Sequence, residues 1–154
     1  MLKKIKRYIS ELGDETAEGP NQEQKEKEVI NNACAALLIE TALADRVFNE
    51  QEMNSMKKTL KEVYKVNEKD IEELINEAEK KVSESTSLYE YTRLINDFCD
   101  YEDKLKLIRN LWSIAFADKQ LDKYEEYLIR KISDLLYVSH KDFIQQKLLV
   151  KETL

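Results

Sequence analysis

Glycine and proline are almost absent from this chain, and their scarcity constrains the fold more than any other feature. The 154 residues include two glycines and one proline. All three fall within the first twenty positions, at Gly13, Gly19 and Pro20. Tight turns that need a positive φ angle therefore have few sites in the rest of the chain. Because Leu, Glu and Lys are abundant there, the sequence predicts an all-α fold, a helical bundle of about seven to eight helices.

The chain divides into an N-terminal part, residues 1–21, and an all-helical domain, residues 22–154. Residues 1–12 form a basic amphipathic stretch, and residues 13–21 have the composition of a linker. The apolar side chains of the stretch fall at helical spacing, at Leu2, Ile5, Ile9 and Leu12. Its basic side chains lie between them, at Lys3, Lys4, Lys6 and Arg7. Peripheral membrane contact is one interpretation, but we favour packing on the domain or fraying, because one short helix binds membranes only marginally.

Net charge, cysteine content and hydropathy limit the classes of protein to which this chain could belong. The formal net charge of −6 disfavours nucleic-acid binding, which depends on a basic surface. Cys34 and Cys99 lie in apolar helical patterns, so we expect reduced core thiols rather than a disulfide framework. No apolar run approaches the roughly 18 residues of a membrane span. The sequence therefore predicts a cytoplasmic protein that binds no nucleic acid.

An acidic turn occurs twice, each time between two helix-like apolar patterns. The copies are Ala44–Glu52 and Ala117–Glu125, and both fit Ala-Asp-x-x-Φ-(Asn/Asp)-x-x-Glu, where Φ is apolar. A second pair of similar turns, Val66–Ile71 and Val138–Phe143, follows in the same order. The sequence therefore predicts two related helix–turn–helix–turn–helix units, at about residues 33–76 and 106–149.

Helix capping explains only part of each acidic turn. The last four positions have N-cap spacing with a glutamate at the third helical position, as Asn49 to Glu52 and as Asp122 to Glu125. Asp45 and Asp118 instead fall where the preceding helix ends, and the helix dipole disfavours an anion there. A cation held by these carboxylates would account for both aspartates. From the residues alone, capping without a cation is favoured and cation binding stays open.

Several segments together resemble the TerB-like family, which is associated with tellurite resistance. They are Leu37–Asp45, Leu88–Ile95 and Leu111–Asp118, extended by Leu121–Arg130 and Leu135–Ser139. The resemblance covers roughly residues 31–147. It implies an all-helical domain with pseudo-twofold halves and a non-enzymatic role linked to membrane-associated stress-response complexes. It also implies that the acidic turns hold divalent metal.

The resemblance implies five metal ligands, Asp45 and Glu52 in the first turn and Asp118, Asp122 and Glu125 in the second, with Glu40 a weaker addition. Such hard oxygen ligands suit Ca²⁺, Mg²⁺ or Mn²⁺ better than Zn²⁺. The chain departs from the family at Arg46 and Lys119, since glycine commonly follows each Ala-Asp. Either cation could replace a metal's charge by pairing with the neighbouring aspartate. The second turn offers three carboxylates against two, and is the better candidate.

The sequence thus predicts a non-enzymatic TerB-like stress-response module that binds a divalent cation at one or both turns and contacts other proteins. Its oligomeric state stays open. The alternative is a metal-independent helical scaffold whose turns are only capping boxes. A carboxylate–metal hydrolase is disfavoured because no ligating histidine or positioned base is evident. The single histidine, His140, is predicted to be solvated in the first turn of the last helix, and Trp112 is predicted to lie in the core.

Overall fold

The computed structural model describes residues 20–44, 50–80, 85–117 and 121–153, without the side chains of residues 20–22 and 85–87. Within these ranges all regular structure is helical, which confirms the all-α prediction. The helices are α1 (Pro20–Ala42), α2 (Glu50–Glu62), α3 (Glu68–Lys80), α4 (Ser85–Phe98), α5 (Tyr101–Ala115), α6 (Lys123–Leu135) and α7 (His140–Glu152). The basic amphipathic stretch, residues 1–12, lies outside the described residues. No described helix is both long and apolar enough to cross a membrane.

Helix α1 occupies the centre of the bundle. It begins at Pro20, two residues before the expected start, because proline suits the first helical position. Every residue from Ala33 to Ile39 is buried, so all faces of this stretch are covered. Helices α2, α3, α4, α5 and α6 all contact α1. The alanines in this stretch allow close approach, since interaxial distance depends on the side chains at the contact.

Helix α5 is the second central element, and it contacts α1, α2, α6 and α7. Trp112 on this helix is fully buried, which confirms that it belongs to the core. Its ring centroid lies 5.8 Å from that of Phe116 and 5.2 Å from that of Phe143. These offset aromatic pairs tie the end of α5 to the start of α7.

The turns after α2 and α6 take a positive φ without glycine. Lys65 has φ 54° and Tyr137 has φ 57°, so the scarcity of glycine does not prevent left-handed residues at helix ends. After α6, the Val138 amide donates to the Ser133 carbonyl at 3.0 Å, which closes a Schellman motif. After α2, the Val66 amide reaches one residue further back, to the Leu60 carbonyl at 3.0 Å.

The helices that follow these two turns begin in the same way. The Asn67 side chain accepts from the Asp70 amide at 2.8 Å, and the Ser139 hydroxyl accepts from the Asp142 amide at 3.2 Å. Both predicted turns are therefore confirmed as helix starts. The internal duplication that would relate them stays a prediction.

The prediction for Cys99 is confirmed only in part, because the thiol is free and packs against the core but is not buried in it. Cys34 is buried in the core as expected, whereas Cys99 is half-buried just beyond the end of α4. Its apolar spacing suggested core, but the exposure of a residue at a helix end depends on how neighbouring helices splay there. The packing of α1, α2 and α5 leaves a cleft at this point.

Candidate functional site

The second acidic turn ends in a well-formed helix cap. Asp122 is the N-cap of α6, with φ −80° and ψ 139°. Its Oδ1 accepts from the Tyr124 amide at 2.7 Å and from the Glu125 amide at 3.3 Å. The Asp122 half of the predicted capping box is thus confirmed. Both of these bonds go to the same carboxylate oxygen.

The two glutamates at the third helical position are both buried. Glu125 in α6 is 0% exposed and Glu52 in α2 is 5% exposed. An N3 glutamate is ordinarily solvated, and capping alone needs no burial. A carboxylate inside a protein costs several kcal/mol unless a hydrogen bond, a positive charge or a metal compensates it. The depth of both side chains is the feature of the turns that the sequence did not reveal.

Three of the five predicted ligands are described, and Asp45 and Asp118 lie outside the described residues, as do Asn49, Arg46 and Lys119. Asp122 and Glu125 lie together at the start of α6, while Glu52 lies at the start of α2. Within the described ranges no three His, Cys, Asp or Glu side chains form a metal-binding group. The candidate site therefore depends on the aspartate that precedes each capping segment.

Helix dipoles suit this arrangement of charges. The N-termini of α2 and α6 carry partial positive charge, which stabilises the carboxylates of Glu52, Asp122 and Glu125. Helices α1 and α5 end shortly before the two turns, and their C-termini carry partial negative charge. The C-terminal carbonyls of one helix and the N-terminal carboxylates of the next are both hard oxygen groups.

Thiol and imidazole chemistry lies elsewhere in the molecule. His140 is exposed in the first turn of α7, as predicted. Burial raises the pKa of the Cys34 thiol far above its usual range, and the nearby Cys99 and Asp103 raise it further. Burial, with Asp103 and Asp100, raises the pKa of Cys99 to about 11. Both cysteines are therefore protonated, weak nucleophiles at neutral pH.

A cleft of about 560 Å³ was missed by the sequence interpretation. Its walls come from α1, α5, the end of α2 and the end of α4. Tyr64 lies in it, with its hydroxyl accepting from the Asn110 side chain at 2.9 Å. Because residues far apart in sequence form the walls, no local motif could have indicated this cleft.

A comparison with known protein families shows to which family the chain belongs. A family model described as Tellurite resistance protein TerB matches residues 31–148. The chain belongs to the TerB family. The TerB match covers both acidic turns and agrees closely with the extent of the resemblance in the sequence. It leaves out the first half of α1. No curated protein and no solved structure matches the chain.

Proposed function

We propose that this TerB-family protein is a non-enzymatic, cytoplasmic stress-response module that binds a divalent cation at its acidic turns and acts by contacting other proteins. The second turn, with Asp118, Asp122 and Glu125, is the principal site. The first turn, with Asp45 and Glu52, is a weaker one. Ca²⁺, Mg²⁺ and Mn²⁺ are the cations that such oxygen ligands favour over Zn²⁺.

The complete burial of Glu125 is the observation that carries this proposal. A capping box requires only that the glutamate side chain reaches back to the backbone amide of the N-cap residue. A carboxylate held inside, next to the capping Asp122, suits a site that pays for burial with a positive charge. The same depth at Glu52 in the first turn supports a common role for both turns.

The position of the second turn gives cation binding a structural consequence. The turn joins α5 to α6, and α6 also contacts α1 and α4. Without a cation, clustered carboxylates repel one another, and a bound cation bridges them. Occupancy would therefore set how α6 lies against the central helices.

The outer face of α6 gives a route from this site to a partner. Tyr124 and Tyr127 are exposed and lie about one turn apart near the start of α6. Tyrosine is enriched at protein interfaces because it combines an apolar ring with a polar hydroxyl. A shift of α6 would move both rings together. We infer that a protein partner recognises this face.

The state of the histidine and of the two cysteines supports a non-enzymatic role. The single histidine is exposed, and both thiols hold their protons, so neither cysteine is an activated nucleophile. A carboxylate–metal hydrolase is the disfavoured alternative. Multiple-turnover hydrolysis that Asp122→Asn abolishes would establish it in place of the proposed role.

Thermal melting of the purified protein tests the proposal, first with a chelator and then with Ca²⁺, Mg²⁺, Mn²⁺ or Zn²⁺. A cation at about 100 times its Kd stabilises the fold by about 2.7 kcal/mol. For a domain of this size, that raises Tm by about 5–10 °C. The shift should fall in Asp118→Asn/Glu125→Gln to the smaller part that the first turn supplies. It should persist in Asp134→Asn/Glu126→Gln, a control with the same charge change on α6.

The metal-independent scaffold is the second candidate, and the basic residues after each Ala-Asp favour it. Lys119 and Arg46 could supply the compensating charge without a metal. A Tm that no cation changes, or a shift of equal size in both double variants, would support this scaffold and reject the cation site.

A further inference from the structure

We propose that residues 1–12 of this chain dock as an amphipathic helix in the cleft between α1, α5 and the ends of α2 and α4. Their apolar stripe would face the cleft floor, and their basic side chains would face its acidic rim. Residues 1–19 lie outside the described residues. The amphipathic pattern of residues 1–12 is therefore known from the sequence, and the shape and lining of the cleft are known from the structure.

The cleft presents apolar surface that nothing in the described residues covers. Val63 is 54% exposed and Phe98 is 40% exposed, and both line the cleft together with Ile30, Ile95 and Cys99. Contiguous exposed apolar surface in a soluble protein marks a binding site more often than chance. The stripe formed by Leu2, Ile5, Ile9 and Leu12 offers matching aliphatic side chains.

Charge favours this occupant. The acidic residues that line the cleft are Glu23, Glu26 and Asp103, and the basic ones are Lys27 and Lys106. Residues 1–12 contain four of the 25 basic side chains of the protein and one of its 31 acidic side chains. The rest of the chain is therefore more acidic than the whole, whose net charge is −6. Opposite charges at the rim fix the register of a docked helix more than its affinity.

The length of residues 1–12 and the length of their connection to α1 also fit the cleft. The cleft follows α1 from Glu23 to Cys34, a distance of about 17 Å along a helix axis, and a twelve-residue helix is about 18 Å long. The seven residues 13–19 can span up to about 24 Å. Gly13 and Gly19, at the two ends of this connection, permit the reversal of direction that docking against α1 requires. The occupant and the receptor lie on one chain, which raises their effective concentration.

Docking in the cleft and insertion into a membrane surface are mutually exclusive, because both bury the same apolar stripe. The cleft accounts for an exposed apolar surface on the protein as well as for the stripe. Membrane contact would leave Val63 and Phe98 uncovered. Docking in the cleft thus explains both the apolar stripe of residues 1–12 and the exposed apolar surface of the cleft.

Hydrogen–deuterium exchange of the full-length protein tests this inference. An isolated helix of twelve residues is marginal in water, so amides of residues 1–12 that exchange at least tenfold slower than in a free peptide of the same sequence indicate docking. Protection should be lost in Val63→Asp/Phe98→Asp. It should persist in Tyr124→Asp/Tyr127→Asp, which introduces the same charges on another exposed face.

A second double variant leaves the cleft unchanged, so its result does not depend on whether a substituted cleft still folds. Ile5→Asp/Ile9→Asp alters only the occupant, and it should abolish protection of residues 1–12 and increase exchange at Cys99. Exchange equal to that of the free peptide would overturn the inference, as would protection that survives Ile5→Asp/Ile9→Asp. Protection that falls on dilution would place the segment in a second copy of the chain. Protection that requires phosphatidylserine vesicles would place it on a membrane, and both outcomes contradict intramolecular docking.

Discussion

Glu125 is the residue whose burial supports the proposed cation site. The proposed cation site and the metal-independent scaffold differ in whether a metal or another group of the protein compensates this carboxylate, and Lys119 is the cationic side chain that the scaffold offers. The substitution Lys119→Gln separates them, because it removes one of the two candidates and leaves the other.

If a metal compensates Glu125, Lys119→Gln should tighten cation binding several-fold, since a competing charge is removed, and should leave Tm with saturating cation unchanged. If Lys119 forms a buried ion pair, its removal should cost about 3–5 kcal/mol of unfolding free energy. Cation titration and urea denaturation measure the two quantities. Lys123→Gln, a charge-matched change at an exposed position on α6, is the control.

A second residue-scale prediction concerns the bond between α5 and α7. The Tyr101 hydroxyl donates to the Asp142 carboxylate. This bond, and a smaller contribution from Ser139, lower the pKa of Asp142 below its usual value. A carboxyl whose pKa is lower in the folded state stabilises the fold above its unfolded pKa, and the stabilisation is lost as pH falls through the folded pKa.

We therefore expect Tyr101→Phe to be less stable than the wild type at pH 7, and the difference to shrink as pH falls below about 4. Urea denaturation across pH 2–7 measures it. Tyr137→Phe, which alters an exposed tyrosine elsewhere, should show no such pH dependence. A difference for Tyr101→Phe that stays constant across this range would contradict the assigned bond.

At the scale of the helical elements, the left-handed residues after α2 and α6 carry stored strain. Tyr137 has φ 57° and is 79% exposed, so its ring adds little packing to offset the unfavourable backbone. Replacing it by glycine removes the clash of the Cβ atom with the backbone. We expect Tyr137→Gly to raise the unfolding free energy by about 1 kcal/mol.

Lys65→Gly, at the corresponding turn after α2, should act in the same direction. Urea denaturation gives both values, and Tyr137→Ala serves as the control because alanine keeps the Cβ atom. Equal stability of the glycine and alanine variants would show that these turns are not strained.

The helix starts were predictable from the sequence because a cap is local chemistry. Asp122 and Ser139 each satisfy an amide two or three residues further on, and spacing alone reveals such a bond. The burial of Glu125 was not predictable, because it depends on how α1, α4 and α5 pack against α6. Cys99 was misplaced for the same reason. Periodicity shows which face of a helix is apolar, but it does not show where neighbouring helices diverge.

At the scale of the whole molecule, the N-terminal half of the described chain, α1–α3, and its C-terminal half, α5–α7, pack against each other. Helix α2 contacts α5, and α6 contacts α1, while α1 and α5 contact one another. Each acidic turn therefore leads into a helix that lies on the central helix of the other half. We expect a cation bound at one turn to alter helix packing in both halves. Binding at a single site could then change the surface on both sides of the molecule.

Equilibrium dialysis tests most directly whether the second acidic turn holds a divalent cation, as we propose. The protein, first treated with a chelator, is dialysed against Mn²⁺, Ca²⁺ or Mg²⁺, and the bound metal is counted per chain. We expect the wild type and Asp134→Asn/Glu126→Gln to bind equally, and Asp118→Asn/Glu125→Gln to bind one cation fewer. No bound cation at millimolar concentrations, or equal binding by all three proteins, would contradict the claim.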